Sequence, residues 1–556
     1  MEMRHRIEGL VRRAIEESVE SGELEIDDVP ENPSVEHPRD KGHGDWASSV
    51  AMKLAKQAHM NPRQIAQIIV SHMETGPLVE SIEIAGPGFI NMTVSNEALY
   101  ESLRDARLEG PDYGRCDVGQ GRSVQIEFVS ANPTGPMHVG HGRWAPLGDA
   151  LGNLLDHAGW KVEREFYIND AGSQMQNFAL SIEARYLQLC GLEAQLPENG
   201  YGGSYVTDIA KQILDEDGHK WLDTTSAERV AEFKERGYHL MLDHMEEVLS
   251  GIGVKFDVWF SERTLYEKDG EGKSQIDRVL DRLSEEGYTY EKDGALWLRT
   301  TELGDDKDRV LVKSDGDYTY FTPDIAYHYG KFERGFDRVI DIWGADHHGY
   351  VKRMQGAMKA LGNEGKLDVL LGQLVNLLRG GEPVRMSKRT GEMVTFEELV
   401  DEVGADATKY IMLSKSADQA IDFDIEAAVE QNSSNPVYYV QYAHARICSI
   451  ERRAGRPINE DADLSLLTDP SELELARKIS EFGETVEDAA REYAPFRITH
   501  YAESLAAAFH RFYKECQIII EDDEALSDAR LYLADAAKST IACALGILGV
   551  SAPERM

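Results

Sequence analysis

Two histidines with a glycine between them, His138 and His141 around Gly140, end the run Ser130-Ala131-Asn132-Pro133-Thr134-Gly135-Pro136-Met137. A loop that leads into a helix presents unpaired N–H groups and the positive end of the helix dipole, which suits a phosphate. Gly140 lets a nucleotide approach the backbone closely. His138 and His141, three apart on one helical face, can each donate a hydrogen bond to a phosphate oxygen. The chemistry this supports is stabilisation of charge that grows on phosphorus during a displacement. A metal half-site and a pair of ordinary surface histidines are the competing readings, and no carboxylate-rich shell accompanies the pair in the sequence.

A second chemical element, Arg385-Met386-Ser387-Lys388-Arg389 followed by Gly391, lies some 250 residues beyond His138. A loop carrying Lys388 can close over a triphosphate, with its ammonium following the charge as pyrophosphate leaves. By letters alone Met412-Leu413-Ser414-Lys415-Ser416 matches as well, but it falls in a helical stretch away from the sheet pattern. It is set aside here for that reason. A basic surface loop is the alternative for either segment.

These elements need a scaffold. Val124, Ile126 and Phe128 alternate as a strand before the histidine block; Trp144, Leu147, Leu151, Leu154 and Leu155 form a helical stripe after it, closed by Gly159. Lys161 to Ile168 reads as a second strand. Residues 171–288 read as a mostly helical, acidic insertion, and sheet character returns at Arg338 to Trp343 and near Val369 to Val375. The expected fold class is therefore α/β, with a Rossmann-like parallel sheet. Residues 1–110 read as a small α+β unit, 120–400 as the sheet domain and 405–556 as an all-helical module without strand alternation. Such open sheets bind ligands at the carboxyl ends of their strands, which places Gly344, Asp346 and His347 there.

At 556 residues the chain exceeds what one core organises. The first residues are charged and no apolar run reaches membrane length, so a cytoplasmic protein without membrane association is expected. Five widely spaced cysteines, without a paired ligand pattern, argue against structural zinc. The charge is −40, from 99 acidic and 59 basic residues. A nucleic-acid binder is ordinarily basic; on composition alone, spread acidity suits equally a general acidic protein that avoids nucleic acid and a salt-rich, halophilic setting, where a Debye length of about 3 Å at 1 M salt screens repulsion of RNA.

The blocks Ser130–His141, Gly344–Tyr350, Arg385–Gly391 and Leu548–Met556 resemble those of class I aminoacyl-tRNA synthetases, and nearly the whole chain resembles the arginyl family. That resemblance implies ATP (with Mg2+), L-arginine and tRNA(Arg) as substrates and a monomer as the common state. It implies His138, His141 and Lys388 as catalytic residues. ATP contacts would come from His138, Gly140, His141, Gly344, Asp346, His347, Met386, Ser387 and Lys388, with no metal bound by the protein itself. Glu127, Ser130, Asn132, Tyr320 and Asp324 would line the arginine pocket; a guanidinium calls for carboxylates, here Glu127 and Asp324. Phe89 and Asn91 would meet the tRNA corner, and Tyr438, Tyr442 and Arg446 the anticodon stem-loop. Arg385 stands where many class I enzymes carry a lysine, which implies reliance on bound tRNA during activation. Rival readings are another class I synthetase, a stand-alone nucleotidylyltransferase and a catalytically silent tRNA-binding paralogue.

Overall fold

The computed structural model describes residues 3–384 and 394–556, apart from the side chains of Lys41 and His141. The expected segment around Met386, Ser387 and Lys388 lies outside the described residues.

Helix α1 (Met3–Glu20) buries Ile7, Val11, Ala14 and Ile15 along one stripe. It is followed by β1 (Val35–Glu36), β2 (Trp46–Ser48), α2 (Pro62–Ser71), β3 (Val79–Ala85) and β4 (Phe89–Val94). The four strands form an antiparallel sheet in the order β1-β2-β4-β3. Asn61 caps α2 through a hydrogen bond from the Arg63 amide, and Pro62 fills the first turn, where no amide is needed. Helix α3 (Asn96–Glu109) then leads into the central sheet.

That sheet is parallel and five-stranded. β5 (Ser123–Glu127) is its centre, and the short helix Val139–Gly142 and α4 (Trp144–His157) connect it to β6 (Lys161–Ile168). Gly148 and Gly152 allow α4 to lie tightly on the sheet: an added Cβ would come within 2.1 Å of the Phe128 ring and 2.7 Å of the Arg164 guanidinium. Helices α5 (Ser173–Leu189), α6 (Ser204–Asp217) and α7 (Ser226–Gly251) follow, in the region expected as a helical insertion. That region also contains a strand the periodicity did not single out, β7 (Val258–Ser261), which is the edge strand beside β6. Four residues are too few to display a period.

After α8 (Gln275–Glu285), β8 (Thr289–Lys292), β9 (Ala295–Leu298) and β10 (Arg309–Val312) make a separate antiparallel sheet. Then α9 (Phe321–Glu333), β11 (Arg338–Gly344), α10 (His348–Ala360) and β12 (Leu367–Gly372) complete the order β12-β11-β5-β6-β7. β13 (Val375–Arg379) and β14 (Glu382–Pro383) precede α11 (Phe396–Val403) and α12 (Ala405–Met412). β15 (Ile421–Asp424) pairs in parallel with β13. The region expected to be all helix from residue 405 thus contributes one strand to a sheet begun before it.

The remainder is helical: α13 (Pro436–Ala454), α14 (Pro470–Ser480), α15 (Phe482–Arg491), α16 (Phe496–Glu515) and α17 (Glu524–Ile547). The N-terminal module docks on it through Arg4, whose guanidinium donates to Asp488 at 2.6 Å, and His37, whose Nε2 lies 2.6 Å from Glu484 Oε1. Among the described residues, no helix is long and apolar enough to cross a membrane.

Candidate active site

The chain leaves β5 through a strained turn. Val129 and Ser130 both have positive φ, 68° and 42°, and the Ser130 amide donates to the Phe128 carbonyl at 2.9 Å. A β-branched residue in this region costs about 1–3 kcal/mol, which the surroundings must offset. The result is that the Ser130 hydroxyl turns back to donate to Glu127 Oε1 at 2.9 Å while accepting the Tyr167 amide at 3.2 Å. Asn132, further along the loop, donates to Gln174 at 2.9 Å.

His138 precedes a single helical turn, so the histidine block has its own turn ahead of α4 instead of forming the start of one long helix. The Gly140 amide donates to His138 Nδ1 at 2.9 Å. With Nδ1 an acceptor, the ring proton sits on Nε2, giving the imidazole a donor on its other side. An added Cβ at Gly140 would come 3.1 Å from that Nδ1. His141 shares the turn.

The chain returning from residues 385–393 is stitched to this turn. His138 forms a β-bridge with Thr395, and the Phe396 amide donates to the Met137 carbonyl at 2.9 Å. A Cβ on Gly142 would come 2.1 Å from the Phe396 ring. Thr395, seven residues past Lys388, is therefore anchored at the histidine block. Arg143, unforeseen in the sequence, anchors the other side: its buried guanidinium donates to the carbonyls of Gln373 (2.7 Å), Gln419 (2.8 Å) and Ser416 (2.9 Å). Burial lowers its pKa to about 10. The alternative Ser414-Lys415 segment is this anchoring turn and lies beside the sheet, with Lys415 donating to the Ala420 carbonyl at 3.3 Å.

Behind the loop lies a buried ionic network. Lys331 on α9, fully buried, donates to Glu127 Oε2 at 2.6 Å and to Asp341 Oδ1 at 2.8 Å. His328 faces Asp341 Oδ2 at 2.7 Å through Nε2 and the Asp324 carbonyl at 2.7 Å through Nδ1. Both ring nitrogens face acceptors, as in an imidazolium. Burial pushes the His328 pKa down, but Asp341 more than offsets this and raises it. Burial likewise opposes ionisation of Asp341, yet Lys331 and His328 draw it down to about 2. Glu127, His328 and Asp341 have ligand atoms within 4.8 Å of one another, an arrangement that could hold a metal ion. The cation that Glu127 and Asp341 share here is the Lys331 ammonium.

Two further carboxylates face phenols. Asp324, in the first turn of α9, accepts from the Tyr350 hydroxyl at 2.5 Å, and burial raises its pKa. Glu262, directly after β7, is buried and accepts from Tyr266 at 3.3 Å and from Tyr167. Burial raises its pKa, and the Asp324 charge adds to the effect. Tyr320, at the start of α9, is 83% exposed. Glu262 and Tyr350 were not foreseen as site residues; the position of Glu262 at the carboxyl end of a parallel strand was the available signal.

Gly344 closes β11, and Asp346 and His347 follow in one tight turn. A Cβ on Gly344 would come 2.5 Å from Asp346 Oδ1. His347 lies beside Trp343, with ring centres 6.2 Å apart. Glu127, Glu262 and Gly344 thus bring the ends of β5, β7 and β11 to one edge of the sheet.

Of the residues expected to meet RNA, Phe89 is half-buried, whereas Asn91 is buried in β4 between β2 and β3. As placed, Asn91 is a sheet residue and not a surface contact. Tyr438 and Tyr442 stack at 5.9 Å along α13, and Arg446 lies 5.2 Å over Tyr442 and 4.7 Å over Tyr513. Half-buried Tyr438, Tyr442 and Arg446, with exposed Tyr513, form a continuous π ladder.

The chain matches the family description "tRNA synthetases class I (R), catalytic domain" over residues 106–450, "Arginyl tRNA synthetase N terminal domain" over 5–94 and "DALR anticodon binding domain" over 440–556. It is 48% identical to the arginine–tRNA ligase of Oceanobacillus iheyensis, with 100% of both chains covered. It is 45% identical to that of Bacillus subtilis, again over 100% of both. The structure of Thermus thermophilus arginyl-tRNA synthetase shares its fold, with a TM-score of 0.75 at 24% identity, covering 100% of both chains. The fold, the histidine turn at the sheet edge and these full-length matches together establish that the chain belongs to the arginyl-tRNA synthetase family of class I.

Proposed function

We propose that this protein is an arginine–tRNA ligase whose site joins L-arginine to ATP and passes the arginyl group to the 3′-terminal adenosine of tRNA(Arg). The observation that carries the choice of arginine is the pair Asp324, half-buried, and Glu262, buried, carboxylates whose side-chain hydrogen-bond partners are phenols. A guanidinium between them supplies the missing positive charge and offers planar donors. Glu127, with Oε2 on Lys331 and Oε1 on Ser130, acts instead by holding Ser130 and the strained turn at the pocket, where Asn132 and Tyr320 are further lining groups.

In the first step the arginine carboxylate oxygen attacks the α-phosphorus of ATP, and pyrophosphate leaves. Nε2–H of His138, with His141, donates to the phosphate oxygens as their charge grows, and Lys388 follows the departing pyrophosphate. Gly140, Gly344, Asp346, His347, Met386 and Ser387 complete the nucleotide site. Mg2+ travels with ATP, since two or three phosphates supply most of its ligands. In the second step a terminal ribose hydroxyl of the tRNA attacks the arginyl carbonyl and AMP leaves. Phe89 offers a stacking face at the tRNA corner, and Tyr438, Tyr442 and Arg446 offer a ladder on which anticodon bases stack.

The working division is residues 1–110 for the tRNA corner, 120–400 for catalysis with an insertion near 171–288, and 405–556 for the anticodon. A cytoplasmic monomer adapted to high salt completes the reading. ATP–pyrophosphate exchange, run with each amino acid and with or without tRNA, tests it. Exchange and tRNA charging with arginine alone are expected, and exchange driven by a different amino acid would overturn the assignment.

A further inference from the structure

The chain carries 40 more acidic than basic charges, yet residues 4–13 hold four arginines and a histidine against the single Glu8. Three of these arginines and the histidine line a groove of about 530 Å³ formed by His5, Arg6, Gly9, Arg12, Arg13, Pro77 and Leu78. The lower end of the groove is electrically spent. His5 contacts Glu8 (3.0 Å) and Glu487 (3.1 Å), and Arg6 pairs with Glu101 at 2.7 Å.

One turn further along α1 the situation changes. Arg12 has Glu16 at 3.9 Å, a loose surface pair, and the Arg13 guanidinium donates to its own helix at the Gly9 carbonyl, 3.3 Å away. Among the described residues, no carboxylate lies within ion-pair distance of Arg13. Gly9 leaves the floor open, since an added Cβ there meets nothing within 4 Å. Two exposed guanidinium forks on one groove, over a glycine floor, each offer the planar pair of donors that phosphate oxygens accept.

From this we infer that the groove on α1 is a phosphate-binding site for the sugar–phosphate backbone of the tRNA, separate from the corner surface at Phe89. The separation follows from the hairpin. Val79 pairs with Val94 and Ala85 with Phe89, so Pro77–Leu78 and Phe89 lie at opposite ends of β3–β4, roughly 20 Å apart at about 3.3 Å per residue. The groove lies instead beside the helical module, to which α1 is tied through Arg4 and Asp488. A backbone contact at this junction holds the RNA against a surface that otherwise repels it, and it reads no base.

The inference rests on tRNA being the substrate. Its test is the affinity of the full chain for tRNA(Arg) across a salt series, comparing Arg12→Glu/Arg13→Glu with a control of equal charge change, Arg282→Glu/Lys292→Glu. The groove variant should raise Kd roughly tenfold near physiological salt and lower the slope of log Kd against log salt by about one to two, about one for each phosphate that the variant leaves without its arginine. Its KM for arginine should stay unchanged. An unaltered Kd and slope, or an equal shift in the control, would overturn the site. If the unsubstituted chain fails to charge tRNA with arginine, the functional reading itself has failed, and the two outcomes are thereby distinguished.

Discussion

Glu127 and Glu262 stand at the carboxyl ends of two strands in one sheet, both buried, but they have opposite electrical surroundings. Glu127 belongs to a network in which the protein supplies the cations: Lys331 serves Glu127 and Asp341, and His328 serves Asp341. Glu262 and its neighbour Asp324 accept hydrogen bonds from Tyr266, Tyr167 and Tyr350 and, among the described residues, form no ion pair, although the charge of His328 is felt at Asp324. A buried ion pair fixes geometry and is costly to break on one side, whereas a carboxylate out of water without an ion-pair partner is more easily protonated and gains from a cation that arrives. Under the proposed function, the first set shapes the pocket and the second selects the substrate.

The largest effect should come from removing the selecting charge. Asp324→Asn, or Glu262→Gln, should lower kcat/KM for arginine by about a thousandfold or more, because a site built to bond a charged group is left unpaired. Steady-state charging assays with the KM for ATP as internal reference check this. A drop below tenfold would erase the distinction drawn between the two carboxylate sets.

Lys331→Met should act on the other set, destabilising the fold by about 3–5 kcal/mol by leaving buried Glu127 without a cation and Asp341 with His328 alone. Denaturant unfolding measures the loss, and Lys331→Met combined with Glu127→Gln and Asp341→Asn should recover part of it. A single variant as stable as the parent would mean that the network is not sealed from water.

A smaller effect follows from pH. Burial raises the pKa of Asp324 and Glu262, so the folded protein holds those protons more tightly than the unfolded chain. Their contribution therefore erodes stability as pH rises from the ordinary carboxylate value, about 4, through the raised values. Asp341 has the opposite sign: drawn down to about 2, it supports the fold above the ordinary value, and that support is lost as pH falls through about 2. Since a guanidinium binds the ionised carboxylates, the arginine KM should fall several-fold as pH rises through the raised values and then level off. Asp324→Asn should flatten that profile, and a pH-independent KM in the parent would argue that both carboxylates are already ionised.

His138, Gly140 and the strand–turn–helix around them were legible because they depend on spacing within some twenty residues, where strand alternation, glycine and helical periodicity leave marks in the sequence. The strained φ at Val129 and Ser130 left no such mark, since neither residue favours that region. The burial of Asn91 could not be read from the sequence, because an amide near a turn reads the same whether its strand is an edge or, as here, an interior one. Glu262, Tyr350 and Arg143 were missed for a common reason: what makes each of them part of the site is a partner distant along the chain.

The sequence by itself determined the parallel-sheet class, the histidine block and the family, because local periodicity and the order of motifs survive without coordinates. Only the tertiary structure decided which carboxylates are ion-paired and which are hydrogen-bonded to phenols. The bond between Lys331 and Glu127 joins residues 204 positions apart, and Arg143 reaches Gln419 across 276. Charge pairing at such separations is set by how strands and helices pack, and packing is a property of the folded chain.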